Sequence, residues 1–396
     1  MKLFTAQTET TCAKKIVADD MMLTKDMPTA AGSKMLDGYM SLLEAEAVTR
    51  LTAAGYGICG KADVGEFAID LLGETSYYGA PTADGKLVNA AAEIVKEGSA
   101  MAAVGLDVNG SIRRAAAQSG LVSVKPTYGT VSRYGTIPVA CSGETVCVTA
   151  KNSADCREVL DVLTGHDDKD GTSLSEAECS RLKSNASADT VRRVAVISEL
   201  TAGIDAETSA KLSAAKEKLT ANGVTVTEIS EPLLASARIA WNILMSAELC
   251  NNVSRYDGVK YGYRTENYTC IDDLYTNTRT EAFGFLLKTA ILFGSDVLST
   301  DNYMREYDKA LRIRRLVSEC FAKLFEQYDA ILIPACSKAA YTEEDVKADQ
   351  YITFSENLYT APASLTGLPT VTAGGVQLIG KAFSENALFE AAKLYE

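Results

Sequence analysis

The stretch "GLDVNGSIRRAAAQSG", residues 105–120, decides how this chain is read. A short apolar run leads into Asp107, Asn109–Gly110 is a turn dipeptide, and Ser111 opens a segment of helix-forming residues. On the residues alone Ser111 is a helix N-cap, its hydroxyl accepting from the amides of the first turn, worth about 1 kcal/mol. The same turn offers several backbone N–H groups at a helix N-terminus, a setting that stabilises an oxyanion. A serine hydroxyl is a poor nucleophile without a base, so cap and nucleophile both stand at this point.

Outward from this stretch, apolar segments alternate with helical ones. "AEAVTRLTAAGYGICGKAD" reads as a helix, a stop at Gly55, and a buried strand running to Lys61. "AAAEIVKEGSAMAAVGLD" reads as helix then strand, and "SADCREVLDVLTG" as a helix with Ser153 as N-cap and Gly165 just past its end. "VRRVAVISEL", "DAETSAKLSAAKEKLTANG" and "VTVTEISEP" form a strand–helix–strand unit, which predicts parallel pairing through a right-handed crossover. "FAKLFEQYDAILIPAC" passes from helix to a strand that reaches Pro334. The pattern is α/β, a parallel or mixed sheet covered by helices. The polar stretch 165–190 reads as a long surface connection rather than a domain linker.

The chain's 396 residues are 47% hydrophobic, ample for a large core, and length alone permits more than one domain. Thirty-nine basic against 52 acidic residues give a formal charge of −13, which repels phosphate backbones and disfavours direct nucleic-acid binding. The densest basic cluster is Arg312, Arg314 and Arg315, on an expected helix. No apolar run approaches the ~20 residues of a membrane span, and "MKLFTAQTETTCAKK" lacks the apolar core of a signal peptide, so no membrane association is expected. Ten cysteines without C-x-x-C spacing read as reduced core thiols of a cytoplasmic protein. There is no zinc-type cluster and no phosphate-binding glycine motif, hence no metal or cofactor is expected. The single histidine, His166, lies in a charged loop and reads as solvated rather than as a triad member.

The stretch 105–138 resembles the signature core of the amidase-signature family, most closely the A subunits of tRNA-dependent amidotransferases. "GSKML" (32–36), "GKADVGEFA" (60–68), "ETSYYG" (74–79), "GHDDKDGTS" (165–173), "SAELCNNVSRYDGVKYGYR" (246–264), "AFGFLLKTAILFG" (282–294) and "GVQLIGKAF" (375–383) resemble further segments in the same order. The resemblance implies a single α/β/α domain over residues 13–396, a central mixed sheet flanked by helices, and a tail at 1–12 in place of the family's N-terminal extension. It implies a Ser–cis-Ser–Lys triad that frees ammonia from glutamine, and B- and C-like partner subunits.

Carried over residue by residue, the nucleophile falls on Ser111, and Val108, Asn109 and Gly110 fall on the oxyanion and substrate-binding turn. Counting back from "SKML" within "KKIVADDMML", the triad lysine falls on Asp19, a reversal of charge. Lys14 and Lys15 lie five and four residues upstream, roughly 13–17 Å along a strand. The cis-serine falls on Leu87 in "DGKLVNAAAE", where most of the loop's glycines are gone. The arginine for the substrate carboxylate falls on Thr289 or Ala290, and the aspartate for its ammonium on Asn357. Together these replacements suggest an amidase-fold protein with little or no glutaminase activity, or a non-catalytic binding subunit, with a small amide substrate in doubt. Lys61 reads as structural, Tyr77 and Tyr78 as packing over a pocket rim, Lys125 and Tyr128 as fixing a turn. Arg255, Tyr256 and Asp257 read as a pocket-side network or a buried ion pair.

Overall fold

Ala102–Asp107, Thr145–Ala150, Ala330–Pro334 and Val376–Gly380 are buried at every position, the signature of strands covered on both faces. The computed structural model describes residues 2–184 and 190–396. Its strands among these residues are β1 (Phe4–Gln7), β2 (Lys15–Asp19), β3 (Gly57–Ala62), β4 (Thr82–Ala83), β5 (Lys86–Leu87), β6 (Ala102–Asp107), β7 (Val122–Lys125), β8 (Thr145–Ala150), β9 (Arg193–Ile197), β10 (Thr225–Ile229), β11 (Ala330–Pro334), β12 (Thr370–Ala373) and β13 (Val376–Gly380). Eleven of them form one mixed sheet in the order β1-β3-β2-β6-β8-β7-β12-β13-β11-β9-β10, while β4 and β5 make a separate hairpin. Pairing is parallel for β2 with β3 and β6 and for β9 with β10 and β11, and antiparallel through the middle.

Side chains alternate between two cores. Ile16 and Ala18 of β2 and Val104 and Leu106 of β6 enter the larger cluster, whereas Val17 and Ala103 enter the smaller one under the helices Ala90–Glu97 and Ser111–Ser119. Asp19, two residues after Val17, therefore shares the face on which the Ser111 helix lies. The predicted α/β architecture is the observed one, with helices on both faces of a central mixed sheet. The unit β9, helix Ala206–Ala221, β10 pairs in parallel as its sequence implies.

Several local expectations change. Within residues 1–12, expected as a tail, Phe4–Gln7 is the edge strand β1, paired with β3. The cap of helix Ser153–Leu163 is Asn152, whose side chain accepts from the Asp155 amide; Ser153 is the first helical residue. The stretch 165–190 contains a helix, Glu176–Ser184, and residues 185–189 of it lie outside the described residues. Half of the cysteines are buried, four are half-buried and Cys270 is exposed; all ten are free. Arg312 and Arg315 pair along their own helix with Asp308 and Glu319, and Arg314 donates to the Ser142 carbonyl, so the cluster presents no open basic patch. The stretch Pro232–Val253, 22 residues, is long and apolar enough to span a membrane, contrary to the expectation that no run reaches that length. Its Trp241, Leu244, Met245 and Leu249 are fully buried in the larger core, which accounts for its apolarity.

Leu332 lies at the centre of β11, between β13 and β9, with none of its surface exposed. Leu332→Ala is expected to lower the unfolding free energy by about 2–5 kcal/mol through the cavity it leaves. Urea denaturation would show this as a lower midpoint at unchanged slope.

Candidate functional site

Ser111 stands at the junction of β6 and its helix, and the junction is held by buried charge. Asp107 Oδ1 accepts from the Gly110 amide at 3.2 Å, closing the turn. The Arg113 guanidinium grips the same carboxylate from one helical turn away, Nε to Oδ2 at 3.0 Å and Nη2 to Oδ1 at 2.9 Å. Both side chains are completely buried. Burial alone would raise the Asp107 carboxyl, but the charge and hydrogen bonds of Arg113 hold it below its ordinary range. Gly110 has φ +84°, and a Cβ there would lie 2.5 Å from the Thr360 side chain, so conformation and space both demand glycine. Arg114 spends its donors on carbonyls, reaching Leu71 at 3.1 Å, Asp70 at 2.9 Å and Asn109 at 2.7 Å. It thereby straps the segment around Asp70 against the turn.

The cap expected at Ser111 is not there. Gly110 is the capping residue, without a side chain, and Ser111 is the first helical residue. Ser111 instead lies beside the buried Asp70 carboxyl, whose Oδ1 has no hydrogen-bond partner among the described residues. The two share a small cavity of about 20 Å³ with Asp19 and Asn89, and no lysine lines it. Burial, helped by the charge of Glu74, raises Asp70 to about 7 against the pull of Arg114 and Ser111. Burial likewise raises Asp19 to about 7. Asp19 reaches this place because β2 and β6 are neighbours. Beyond their last pair, Ala18 with Val104, its carboxylate accepts from the Leu106 amide at 2.7 Å and from the Met21 amide at 3.1 Å.

The structure thus brings Asp19 to Ser111, and it does not bring Leu87. Leu87 sits on the β4–β5 hairpin, its amide donating to Tyr341 O at 2.8 Å, and lines a separate cavity of about 240 Å³. The residue from that segment facing Ser111 is Asn89, which caps helix Ala90–Glu97 and donates to Leu72 O. No cis peptide bond occurs among the described residues. Of the expected oxyanion turn, the Gly110 amide is already committed to Asp107, and Val108 is fully buried. Asn109 and Asn357 do come together, Asn357 Nδ2 donating to Asn109 Oδ1 at 2.6 Å and to Asn242 Oδ1 at 2.7 Å. Thr289 and Ala290 line a different and larger cavity, which Asn242 also lines.

The nearby lysines are engaged elsewhere. Lys61 is fully buried within β3, where Nζ donates to Met22 O and to Thr29 Oγ1 and lies 3.2 Å from Asp20 Oδ1. Lys14 pairs with Glu158 at the surface. Lys125, pushed down to about 8 by burial and the charge of Arg113, donates to Leu368 O. Together with the Tyr128 amide, which donates to Gly367 O, it ties the 125–128 turn to a distant segment. Tyr77 and Tyr78 lie away from the Ser111 cavity; the Tyr77 amide donates to Gly32 O and the Tyr78 hydroxyl to Asp37. Arg255 is exposed and bonds to Asn252, Asp257 receives the Val259 amide, and Tyr256 packs against Phe67, so no ion pair forms there. His166 bonds to Leu174 O and Asp168 in its loop. Asp70 was missed in the sequence. Its only signal was a lone acid in the apolar run "FAIDLLG".

A buried turn between strand and helix that carries a serine on a large mixed sheet is an amidase-type framework, and the relatives agree. The sequence model of the Amidase family matches residues 16–389, and the chain belongs to this family. The A subunit of the glutamyl-tRNA(Gln) amidotransferase of Acinetobacter baumannii is 35% identical, over 95% of this chain and 80% of that protein. Its counterpart from Thiobacillus denitrificans is 36% identical, over 96% and 82%. The crystal structure of the Thermotoga maritima counterpart superposes with a TM-score of 0.80 at 24% identity, over 99% of this chain and 86% of that one. A 6-aminohexanoate cyclic dimer hydrolase shares the fold at 18% identity, TM-score 0.78, over 98% and 86%.

The raised carboxyls make stability depend on pH with a definite sign. Below about pH 4 both folded and unfolded chains hold these protons. Between about pH 4 and 7 the folded chain keeps protons on Asp19 and Asp70 that the unfolded chain releases, so these groups' contribution falls as pH rises and levels off above about 7. Asp70→Asn is expected to flatten this slope, read from urea unfolding across pH 4–8.

Proposed function

We propose that this chain is an amidase-family protein whose Ser111 no longer supports appreciable glutamine hydrolysis, and that it serves as a binding or scaffold subunit. The observation carrying this reading is the company of Ser111, two carboxyls and an asparagine where a Ser–Lys amidase needs a basic amine. A lysine base must take the hydroxyl proton and then stand as a cation beside the developing oxyanion. Asp19, at the position expected for that lysine, becomes an anion on losing its proton and opposes the same charge. The cavity volume suits about one water rather than an amide side chain. The relatives' description as A subunits of an amidotransferase supports partner subunits, B- and C-like in this reading.

The test is ammonia release from glutamine, asparagine and simple amides by the chain alone and with B- and C-like subunits of a relative. The chain and its Ser111→Ala variant are expected to give the same rate. Release above that control would establish a working amidase instead. Such activity has a rationale in Asp70, a carboxyl titrating near neutrality beside the hydroxyl, and its rate would inflect near pH 7 and vanish in Asp70→Asn. The double change Asp19→Lys with Leu87→Ser is expected to leave ammonia release at the control level, because Leu87 faces another cavity.

A further inference from the structure

Asp19 and Asp70 bring two carboxyls to the Ser111 cavity, and no basic side chain lines it. Both residues are buried, 4% and 2% exposed, and much of the wall around them is apolar, including Val64, Leu106 and Ile112. Enclosed anions of this kind need their charge answered close by. The neighbouring cations are engaged elsewhere. Lys61 stands against Asp20, Arg113 grips Asp107, and Arg114 donates to the carbonyls of Leu71, Asp70 and Asn109. A second observation points to a ligand. Asp70 packs its Oδ2 against Gly65, and its Oδ1 has no hydrogen-bond partner among the described residues. A buried oxygen of that kind is rare in a native fold and calls for a bound group. Each Asp19 oxygen receives one amide, from Met21 or Leu106, and keeps lone pairs for a further partner, while Ser111 and Thr149 add hydroxyls to the wall. The space is about 20 Å³, room for one particle of water's size. Among the described residues no three of His, Cys, Asp and Glu gather as metal ligands, and a divalent ion asks for about six or more oxygens. Two carboxylates, a few hydroxyls and room for one small particle suit a monovalent cation.

We propose that the Ser111 cavity holds one small monovalent cation, bound by the Asp70 and Asp19 carboxylates and the hydroxyls of Ser111 and Thr149. The inference deepens the reading of Ser111 given above and rests on it, because a cavity filled by an ion has no room for an amide. The bound ion ties the segment around Asp70 to β2, β8 and the Ser111 helix, so its removal is felt as lost stability.

The test is thermal unfolding of the full chain at about pH 8 in potassium, ammonium, sodium or tetramethylammonium chloride, at one total chloride concentration so that screening is constant. At least one of the three small cations is expected to raise Tm by about 2 °C or more over tetramethylammonium, which is too large for the cavity, and the order of the three names the ion that fits. The rise should grow with the logarithm of that cation's concentration. Asp70→Asn should abolish the difference between the small cation and tetramethylammonium, and Ser111→Ala should keep part of it. Should Asp70→Asn fail to fold, crystals of the parent protein soaked in rubidium chloride decide, with an anomalous peak expected beside Asp70 Oδ1. Equal Tm in all four salts, an Asp70→Asn variant that keeps the difference, or rubidium bound only elsewhere would each overturn the proposal. Ammonia release is a separate readout: a missing cation effect leaves the reading of Ser111 standing, and release above the Ser111→Ala control removes that reading whatever the salts do.

Discussion

Asp107 and Arg113 face each other across the turn 108–110, both without exposed surface, and bonded through two guanidinium nitrogens. Removing either partner would leave an uncompensated charge in the interior, a loss of about 3–5 kcal/mol. That penalty holds β6, the turn and the following helix in one arrangement. Arg113 also donates to Thr360 O and Ser364 Oγ, which brings helix Ile352–Thr366 onto the turn, and Thr360 then leaves no room beside Gly110 for anything but hydrogen. Arg114 straps the Asp70 segment to the same place. The surroundings of Ser111 follow from this buried clamp.

The clamp needs nothing from the group that faces the serine hydroxyl. Asp107, Arg113, Arg114 and Gly110 are satisfied among themselves, by main-chain oxygens and by the hydroxyls of Thr360 and Ser364, so the framework tolerates acids and an asparagine in the Ser111 cavity. Asp19 even takes over a structural task, its carboxylate receiving the Leu106 amide where the β2–β6 ladder ends. One residue on, Asp20 answers the buried Lys61, so neighbouring carboxyls serve different ends: one holds a cation, the other faces a hydroxyl's cavity. The chain shares a TM-score of 0.80 with an amidotransferase subunit structure, and its own serine shares a cavity with two carboxyls and an asparagine.

Periodicity and turn chemistry made most of the elements legible. The fully buried strands read as apolar runs, the β9–helix–β10 crossover as parallel, and the Asn-Gly dipeptide as the turn before Ser111. Where expectation slipped, a contact distant in sequence was responsible. Ser111 has a capping residue's chemistry, yet Gly110 takes the cap because Asp107 has already bound its amide. Leu87 stands in sequence where the resemblance puts the cis-serine. The hairpin's pairing and its bond to Tyr341 carry Leu87 to another cavity and leave Asn89 facing the serine. Arg255 and Asp257 stand close in sequence but bond to Asn252 and Val259 rather than to each other.

By itself the amino-acid order determined the α/β class, the strand–turn–helix around Ser111 and the family, because alternation, helical period and glycine-dependent turns act over a few residues and need no distant partner. The neighbours of Ser111 in its cavity were decided only by tertiary structure. Asp70 lies 41 residues before it and Asp19 lies 92 before it, and neither separation carries a periodic signal. What joins them is the β2–β6 adjacency and the strap of Arg114 across Asp70, Leu71 and Asn109, and such proximity exists only once the sheet has formed.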